Sequence, residues 1–259
     1  MIFTEAKRYY VERRAIERMT AMGSSSFETY FARLRADLQG EIEQFVNAFT
    51  INETYFYREE HQLACLTSEL LAERLKVKAR GEPIRIWSVP CSTGEEPYSI
   101  AIWLLENWSH VDEYDIEIVG SDIDTDVIAL ARAGAYGQRA LTRLPPKVVD
   151  KYFAAEGGGS WQIMDDLRSS VRFTQVNIVE RTETKPHGQF DVIFCRNVLI
   201  YFDDLSRRTA AENLFENLYP NGFICLGHTE SMSRISPLFE VCRFSDAIVY
   251  QRPAGAAHG

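Results

Sequence analysis

No part of the chain reaches the run of about 18 apolar residues that a membrane-spanning helix needs. Its start lacks the basic, apolar and small-residue order of a secretory leader. A cytoplasmic protein without membrane insertion is therefore expected. Cysteine is scarce: Cys65, Cys91, Cys195, Cys225 and Cys242 are odd in number, far apart and form no CxxC pair. That pattern indicates neither a disulfide framework nor a zinc site, so no metal is expected. Basic residues are outnumbered, 28 Lys and Arg against 37 Asp and Glu, for a formal charge of −9, which argues against general nucleic-acid binding. Repeats are absent. Low complexity is confined to Gly157–Gly159 and the closing "PAGAAHG", a tail expected to fray.

What is present is an ordinary soluble composition, 46% hydrophobic and 25% charged over 259 residues. The length suits one large α/β domain, or one of about 200 residues with a small appendage. The first 50 residues read as helical. "EAKRYYVERRAIERM" (5–19) places Tyr9, Tyr10, Ile16 and Met19 among basic residues. Lys7, Arg8, Arg13, Arg14 and Arg18 there outnumber Glu5, Glu12 and Glu17, a locally basic segment on an acidic protein. A break at Gly23 and cap candidates Ser24 to Ser26 introduce a second helix, with Phe27, Tyr30, Phe31 and Leu34 at helical spacing and its end at Leu38. "EIEQFVNAF" (41–49) makes a third. The polar and aromatic "TINETYFYREEHQL" (50–63) follows, then helix to about Lys78.

From Ile84 the pattern changes. The β-rich runs "IRIWSV", "DIEIVGSDID", "FDVIFCRN" and "GFICLG" alternate with the helices "EEPYSIAIWLLENW", "TDVIALARAGA" and "LSRRTAAENLFENL", and the pair "FEVCRF" and "AIVYQR" closes the chain. Such alternation predicts a largely parallel sheet with helices on both faces. Residues 146–177 interrupt it with the helix "PKVVDKYF", the loop "AAEGGGS" and the runs "WQIM" and "SVRFTQVN", read as a small antiparallel insertion.

Ligands of an open α/β sheet bind beyond the carboxyl ends of its strands. At the first such end, "WSVPCSTGEEPYSIA" (87–101) runs from a strand through Cys91, Ser92, Thr93 and Gly94 into two adjacent acids. A helix N-terminus favours anions, which accounts for Glu95 and Glu96 but not for the small residues before them. A turn left open for a ligand, with one carboxylate on its positive group, accounts for both. The second end carries Asp122 and Asp124 in "GSDID", where an acid can accept two hydrogen bonds from a ribose diol. The third carries Arg196, Asn197 and Tyr201 in "CRNVLIYF". First-turn acids, an N-cap and a solvated loop are the bland readings of these three places. Their convergence on one sheet edge favours a binding site.

"NETYFYREEHQL", "CSTGEEPYSIA", "GSDID", "FDVIFCRNVLIYF" and "GHTES" resemble, in this order and spacing, the CheR-type chemotaxis receptor methyltransferases, over about residues 5–251. The resemblance implies an all-helical N-terminal domain (1–49), a linker contributing to the cofactor site (50–60), and a doubly wound methyltransferase domain (61–259) with a small antiparallel β-subdomain near 146–177. It implies methyl transfer from S-adenosylmethionine, leaving S-adenosylhomocysteine, to glutamate side-chain carboxylates of chemoreceptor cytoplasmic domains. By the same resemblance Asn52, Thr54 and Arg58 contact the cofactor from the linker, and Glu96 receives its amino group. Asp122 holds the ribose, and Asn177 and Ile178 flank the adenine. Arg196 and Asn197 touch the cofactor further, and Tyr201 stands at the methyl-transfer position with Arg58. Arg13, Arg14 and Arg18 of the basic first helix would dock the glutamate-rich receptor.

The chemistry agrees with that resemblance. A glutamate carboxylate is already an anion at neutral pH, so the lack of a Ser/His/Asp or Cys/His constellation is no gap. Two departures from the family pattern stand out. The family's N-terminal domain usually begins with a further helix that this sequence does not show. The loop "AAEGGGSWQ" replaces a Gly-x-Gly-x-x-x-Gly loop that binds a receptor C-terminal pentapeptide, so independence from that tether is expected. Two other classes are weaker. A nucleotide-cofactor oxidoreductase lacks its G-x-G-x-x-G after the first strand, and a non-catalytic signalling module would not need Arg58, Glu96, Asp122 and Tyr201 together. A nucleic-acid methyltransferase is disfavoured by the acidic charge and the missing Asn-Pro-Pro-Tyr-like motif.

Overall fold

The computed structural model describes residues 5, 8–37, 40–79 and 81–255. The helices α1 (Arg8–Ala21), α2 (Phe27–Arg35) and α3 (Glu41–Asn47) come first. Ser26 is the cap of α2, its Oγ accepting the Thr29 N–H at 3.3 Å. That helix stops at Arg35, and its expected end, Leu38, lies outside the described residues, as does most of the "PAGAAHG" tail. A buried acid gathers the three helices. Glu41, 1% exposed, accepts from Arg18 Nε at 3.0 Å and Nη2 at 2.6 Å, and from the Tyr30 hydroxyl at 2.8 Å. Arg18, expected as a docking residue, is therefore an internal strut, because a buried carboxylate demands a charged partner. Arg13 is exposed, and Arg14 lies over the Tyr10 ring at 5.1 Å.

The linker leads into α4 (Glu60–Cys65), a single π turn over Leu66–Leu70, and α5 (Leu71–Leu75), which bury Leu63, Leu66, Leu70 and Leu71. Strands and helices then alternate as β1 (Ile84–Ser88), α6 (Glu95–Asn107), β2 (Ile116–Asp122) and α7 (Thr125–Ala133). The next segment holds β3 (Ala135–Gly137), α8 (Gln138–Leu141), α9 (Pro146–Tyr152), β4 (Phe153–Gly157) and β5 (Ser160–Ile163). It continues through α10 (Asp165–Ser169), β6 (Val171–Gln175) and α11 (Arg181–Thr184). The chain finishes with β7 (Phe190–Cys195), α12 (Asp204–Glu216), β8 (Leu218–Leu226), β9 (Glu240–Arg243) and β10 (Ile248–Gln251).

Seven strands form the main sheet in the order β6-β2-β1-β7-β8-β10-β9, with β6 through β8 parallel and the last two antiparallel. Side-chain alternation splits the core in two. Ile84 and Ile86 of β1 pack with α4, α5 and α6, whereas Trp87 and the following Val89 pack with α12. The chain runs outward from β1 to β2 and β6, then returns to place β7 on the other side of β1. Between β1 and β7 lies the switch point at which such sheets open a crevice.

The insertion differs from the sequence reading. Its second β-run does not stay in the small sheet: β6 pairs in parallel with β2, from Ile118↔Val171 to Asp122↔Gln175. Val171 and Phe173 bury on the first core there, and α7, which packs against both β2 and β6, lies in the long crossover that parallel pairing requires. The small antiparallel sheet instead has the order β3-β5-β4 and takes its third strand from Ala135–Gly137. Gly134 makes that possible. It ends α7 at φ 68°, and a Cβ there would lie 2.5 Å from Ile163 Cγ2.

Candidate functional site

The turn after β1 is fastened to the end of β2. Cys91 N–H donates to Ser121 O and Ser92 N–H to Asp122 Oδ2, both at 2.8 Å. Ser92 adopts φ 48° and Gly94 φ 93°. A Cβ on Gly94 would lie 2.9 Å from Ala131 Cβ, so glycine lets α6 begin hard against α7. The two acids then part. Glu95 is 4% exposed, accepts from Thr93 Oγ1 at 2.6 Å, and has its pKa raised by burial. Glu96 faces a cavity of about 520 Å³ that lies over the carboxyl ends of β1, β2 and β7.

All ten residues expected to bind cofactor or act in transfer line this cavity. From the linker come Asn52, Thr54 and Arg58; from the strand ends and the segment after β6 come Glu96, Asp122, Asn177 and Ile178; from the loop after β7 come Arg196, Asn197 and Tyr201. Val11 of α1, Phe45 and Val46 of α3, and the following Phe49 close it from the helical domain. Arg13, Arg14 and Arg18 do not line it.

The hydrogen bonds sort these side chains by what they still have to offer. Glu96 Oε1 accepts from Ser88 Oγ at 2.8 Å, and its Oε2 accepts from Arg196 Nε. Each oxygen retains a lone pair for a further donor. Arg196 is 6% exposed; its Nη1 donates to Arg58 O at 2.9 Å and lies 3.6 Å from Glu59. Burial opposes its charge, but Glu96 and Glu59 outweigh that and keep the guanidinium protonated. Arg196 is thus a tie between strand end and linker. Asn52 is also largely committed, its Nδ2 donating to Thr50 Oγ1 and Asp124 Oδ2, both at 2.9 Å.

Other groups remain open. Arg58 places Nη1 on Glu53 O at 2.7 Å and stacks over Tyr55, with its other donors unassigned. Asn177 spends its Oδ1 on Val179 N–H at 3.3 Å. The Tyr201 hydroxyl makes no hydrogen bond among the described residues. Asp122, 3% exposed, accepts backbone N–H groups from Ser92 and Asp124, yet burial dominates and lifts its pKa to about 6. Among the described residues no His, Cys, Asp and Glu cluster is arranged for a metal, and no helix is long and apolar enough to cross a membrane.

Sequence reasoning passed over Ser88 and Glu59, and it named Asp124 without the partners it holds. Asp124 caps α7 with Oδ1, accepting from Asp126 and Val127 N–H, while Oδ2 receives Thr50 and Asn52. Its position beside Asp122 suggested a strand-end acid or a cap, not a tie to the linker. Glu59, the N-cap residue of α4 at φ 55°, accepts from Gln62 Nε2 at 2.9 Å and His228 N–H at 3.3 Å.

Residues 52–248 match the family described as "CheR methyltransferase, SAM binding domain", and residues 1–50 match "CheR methyltransferase, all-alpha domain". The chain is 48% identical over 254 residues to "Chemotaxis protein methyltransferase 2" of Vibrio cholerae, covering 98% of this chain and 88% of the relative. To "Chemotaxis protein methyltransferase" of Escherichia coli it is 34% identical over 243 residues, covering 92% and 82%. Among solved structures, an O-methyltransferase family protein from Burkholderia thailandensis superposes with a TM-score of 0.42 at 13% identity, covering 96% of this chain and 71% of that one.

Proposed function

The chain belongs to the CheR methyltransferase family, and from that premise we propose that its cavity brings S-adenosylmethionine to the side-chain carboxylate of a chemoreceptor glutamate. The protein is an S-adenosylmethionine-dependent methyltransferase that methylates chemoreceptors in chemotaxis. The observation that carries the site assignment is the convergence of ten side chains on one cavity at the switch point of the sheet.

The donor set suits the cofactor. Glu96 has lone pairs for an ammonium, and Asp122 is a buried acceptor for ribose hydroxyls. Asn177 and Ile178 would flank the base, with Thr54, Arg58 and Asn197 as further contacts. When bound, S-adenosylmethionine supplies a sulfonium methyl, which the glutamate carboxylate takes to give a methyl ester and S-adenosylhomocysteine. The carboxylate needs no general base. What the protein contributes is orientation, worth about 7–11 kcal/mol when two partners are well aligned. The Tyr201 hydroxyl, unpartnered among the described residues, and the remaining Arg58 donors are the groups that orient it. Asn52 and Arg196 act mainly by holding the linker against the strand ends.

Docking of the receptor, in the cytoplasm, falls to Arg13 and Arg14, since Arg18 is spent on Glu41. The β4–β5 hairpin turns through Gly157, Gly158 and Gly159 at φ 88°, 62° and 82°, which supports recognition without a pentapeptide tether. Receptor fragments with and without their C-terminal residues should then accept labelled methyl at similar rates. Release of that label as methanol in mild base identifies a carboxyl ester, whereas base-stable label would overturn the glutamate assignment.

Asp122 makes cofactor affinity depend on pH. The carboxyl is protonated below about 6 in the free protein, and a protonated acid is a poor acceptor for two ribose hydroxyls. S-adenosylhomocysteine should therefore bind more weakly as pH falls through about 6, by up to about tenfold per unit, and level off above it. Calorimetric titration between pH 5 and 8 reads this directly, and Asp122→Asn should remove the step. A flat profile in the parent protein contradicts the assignment.

A further inference from the structure

The stretch "GHTES" (227–231) follows β8 and has no role in the site so far; its glutamate does not line the cavity. Yet that glutamate holds one wall of it. Glu230 Oε2 accepts from Asn197 N–H at 2.7 Å and Gly227 N–H at 2.9 Å. Oε1 accepts from Val198 at 3.0 Å, Leu199 at 2.7 Å and Ile200 at 3.3 Å. One carboxylate thus collects four consecutive amides of the loop after β7, and those amides have no other acceptor among the described residues.

The loop needs such an anchor. Asn197 adopts φ 59°, a conformation that side-chain-bearing residues hold only when their surroundings enforce it. Gly227 leaves the room it needs: a Cβ at that position would lie 2.5 Å from Asn197 Nδ2 and 2.9 Å from its backbone nitrogen. The turn that presents Tyr201 is built on the clamped residues, with Tyr201 N–H donating to Val198 O at 3.0 Å and Phe202 N–H to Leu199 O at 3.2 Å. A carboxylate facing converging N–H groups is a strong, charge-assisted arrangement.

We propose that Glu230 is a positioning residue for methyl transfer, its carboxylate fixing the 197–200 backbone so that Tyr201 meets the substrate carboxylate in register. The inference rests on the reading of Tyr201 given above. The neutral isostere Glu230→Gln presents an NH₂ group where an acceptor is needed, so it cannot gather all five amides.

In the full-length protein, Glu230→Gln should lower kcat on receptor fragments about tenfold to a hundredfold, the scale of an ångström-sized misplacement. The Kd for S-adenosylhomocysteine should move less than about threefold. Hydrogen exchange at the amides of 198–200 should quicken by at least about tenfold while β7 and β8 stay protected. Glu230→Asp, which keeps the charge, should recover part of the rate. Unchanged kcat and unchanged exchange would overturn the proposal, as would a loss of cofactor affinity matching the loss of kcat. Should Glu230→Gln fail to fold, Gly227→Ala pushes on Asn197 with the carboxylate intact; wild-type kcat in that variant also overturns it. If Tyr201→Phe keeps full activity while Glu230→Gln is slow, the role of Tyr201 fails and the positioning of the loop stands.

Discussion

Tyr201→Phe is expected to slow methyl transfer about a hundredfold, the penalty typical of a substrate left slightly out of line, with S-adenosylhomocysteine affinity nearly unchanged. The side chain lines the cavity, and its hydroxyl has no partner to satisfy among the described residues. Removing that oxygen therefore leaves no buried group orphaned and little reason for the fold to shift. What is lost is one donor to the incoming carboxylate. A hydrogen bond to one carboxylate oxygen leaves the other free to face the methyl, and without it the two oxygens rotate through less productive poses. Single-turnover rates with saturating cofactor measure this cleanly. An equal fall in cofactor affinity would move Tyr201 from the transfer step to cofactor binding.

Glu96→Gln should act in the opposite place. Its carboxylate is the main partner of Arg196, a guanidinium 6% exposed, and is also the acid proposed for the cofactor's ammonium. Neutralising it leaves the arginine with Glu59, 3.6 Å away, as its remaining acid. Truncating one side of a buried charge pair costs about 2–5 kcal/mol, so S-adenosylhomocysteine should bind at least about 30-fold more weakly. The thermal midpoint of the free protein should fall as well, because the pair is broken before any ligand arrives. Calorimetric titration and thermal melts separate the two effects. Unchanged affinity would show that another group reads the amino end.

The two variants rest on residues that were legible in the sequence. Alternating strands and helices gave away the sheet, the sheet gave away its carboxyl edge, and the pair Glu95 and Glu96, Asp122 and Tyr201 stood at that edge; the family resemblance chose Glu96 and gave Tyr201 its role. What was not legible is pairing across distance. Arg18 looked like surface charge because its partner, Glu41, lies 23 residues on and belongs to another helix. Asn52 was marked as a cofactor contact by the family resemblance alone, and its tie to Asp124, 72 residues away, could not be seen. The run "SVRFTQVN" had the period of a strand, but period says nothing about which neighbour a strand joins, and its choice of β2 over the hairpin is a matter of burial on the first core. Glu230 combined both difficulties: a polar residue outside regular structure, acting on backbone 30 to 33 residues earlier.

Asp124 also limits how freely this architecture can be recombined. One oxygen begins α7 and the other grips Thr50 and Asn52, while the neighbouring Thr125 binds Asn47 and Glu43. The seam between helical domain and sheet therefore runs through the same four-residue region that holds Asp122 in the cavity wall. In a chimera between relatives, a junction just after residue 50 would separate Thr50 from Asp124, and Asn47 and Glu43 from Thr125. A graft that carries residues 1–62 together with the start of α7 preserves both sides, so the piece that must be exchanged as one is larger than the helical domain alone.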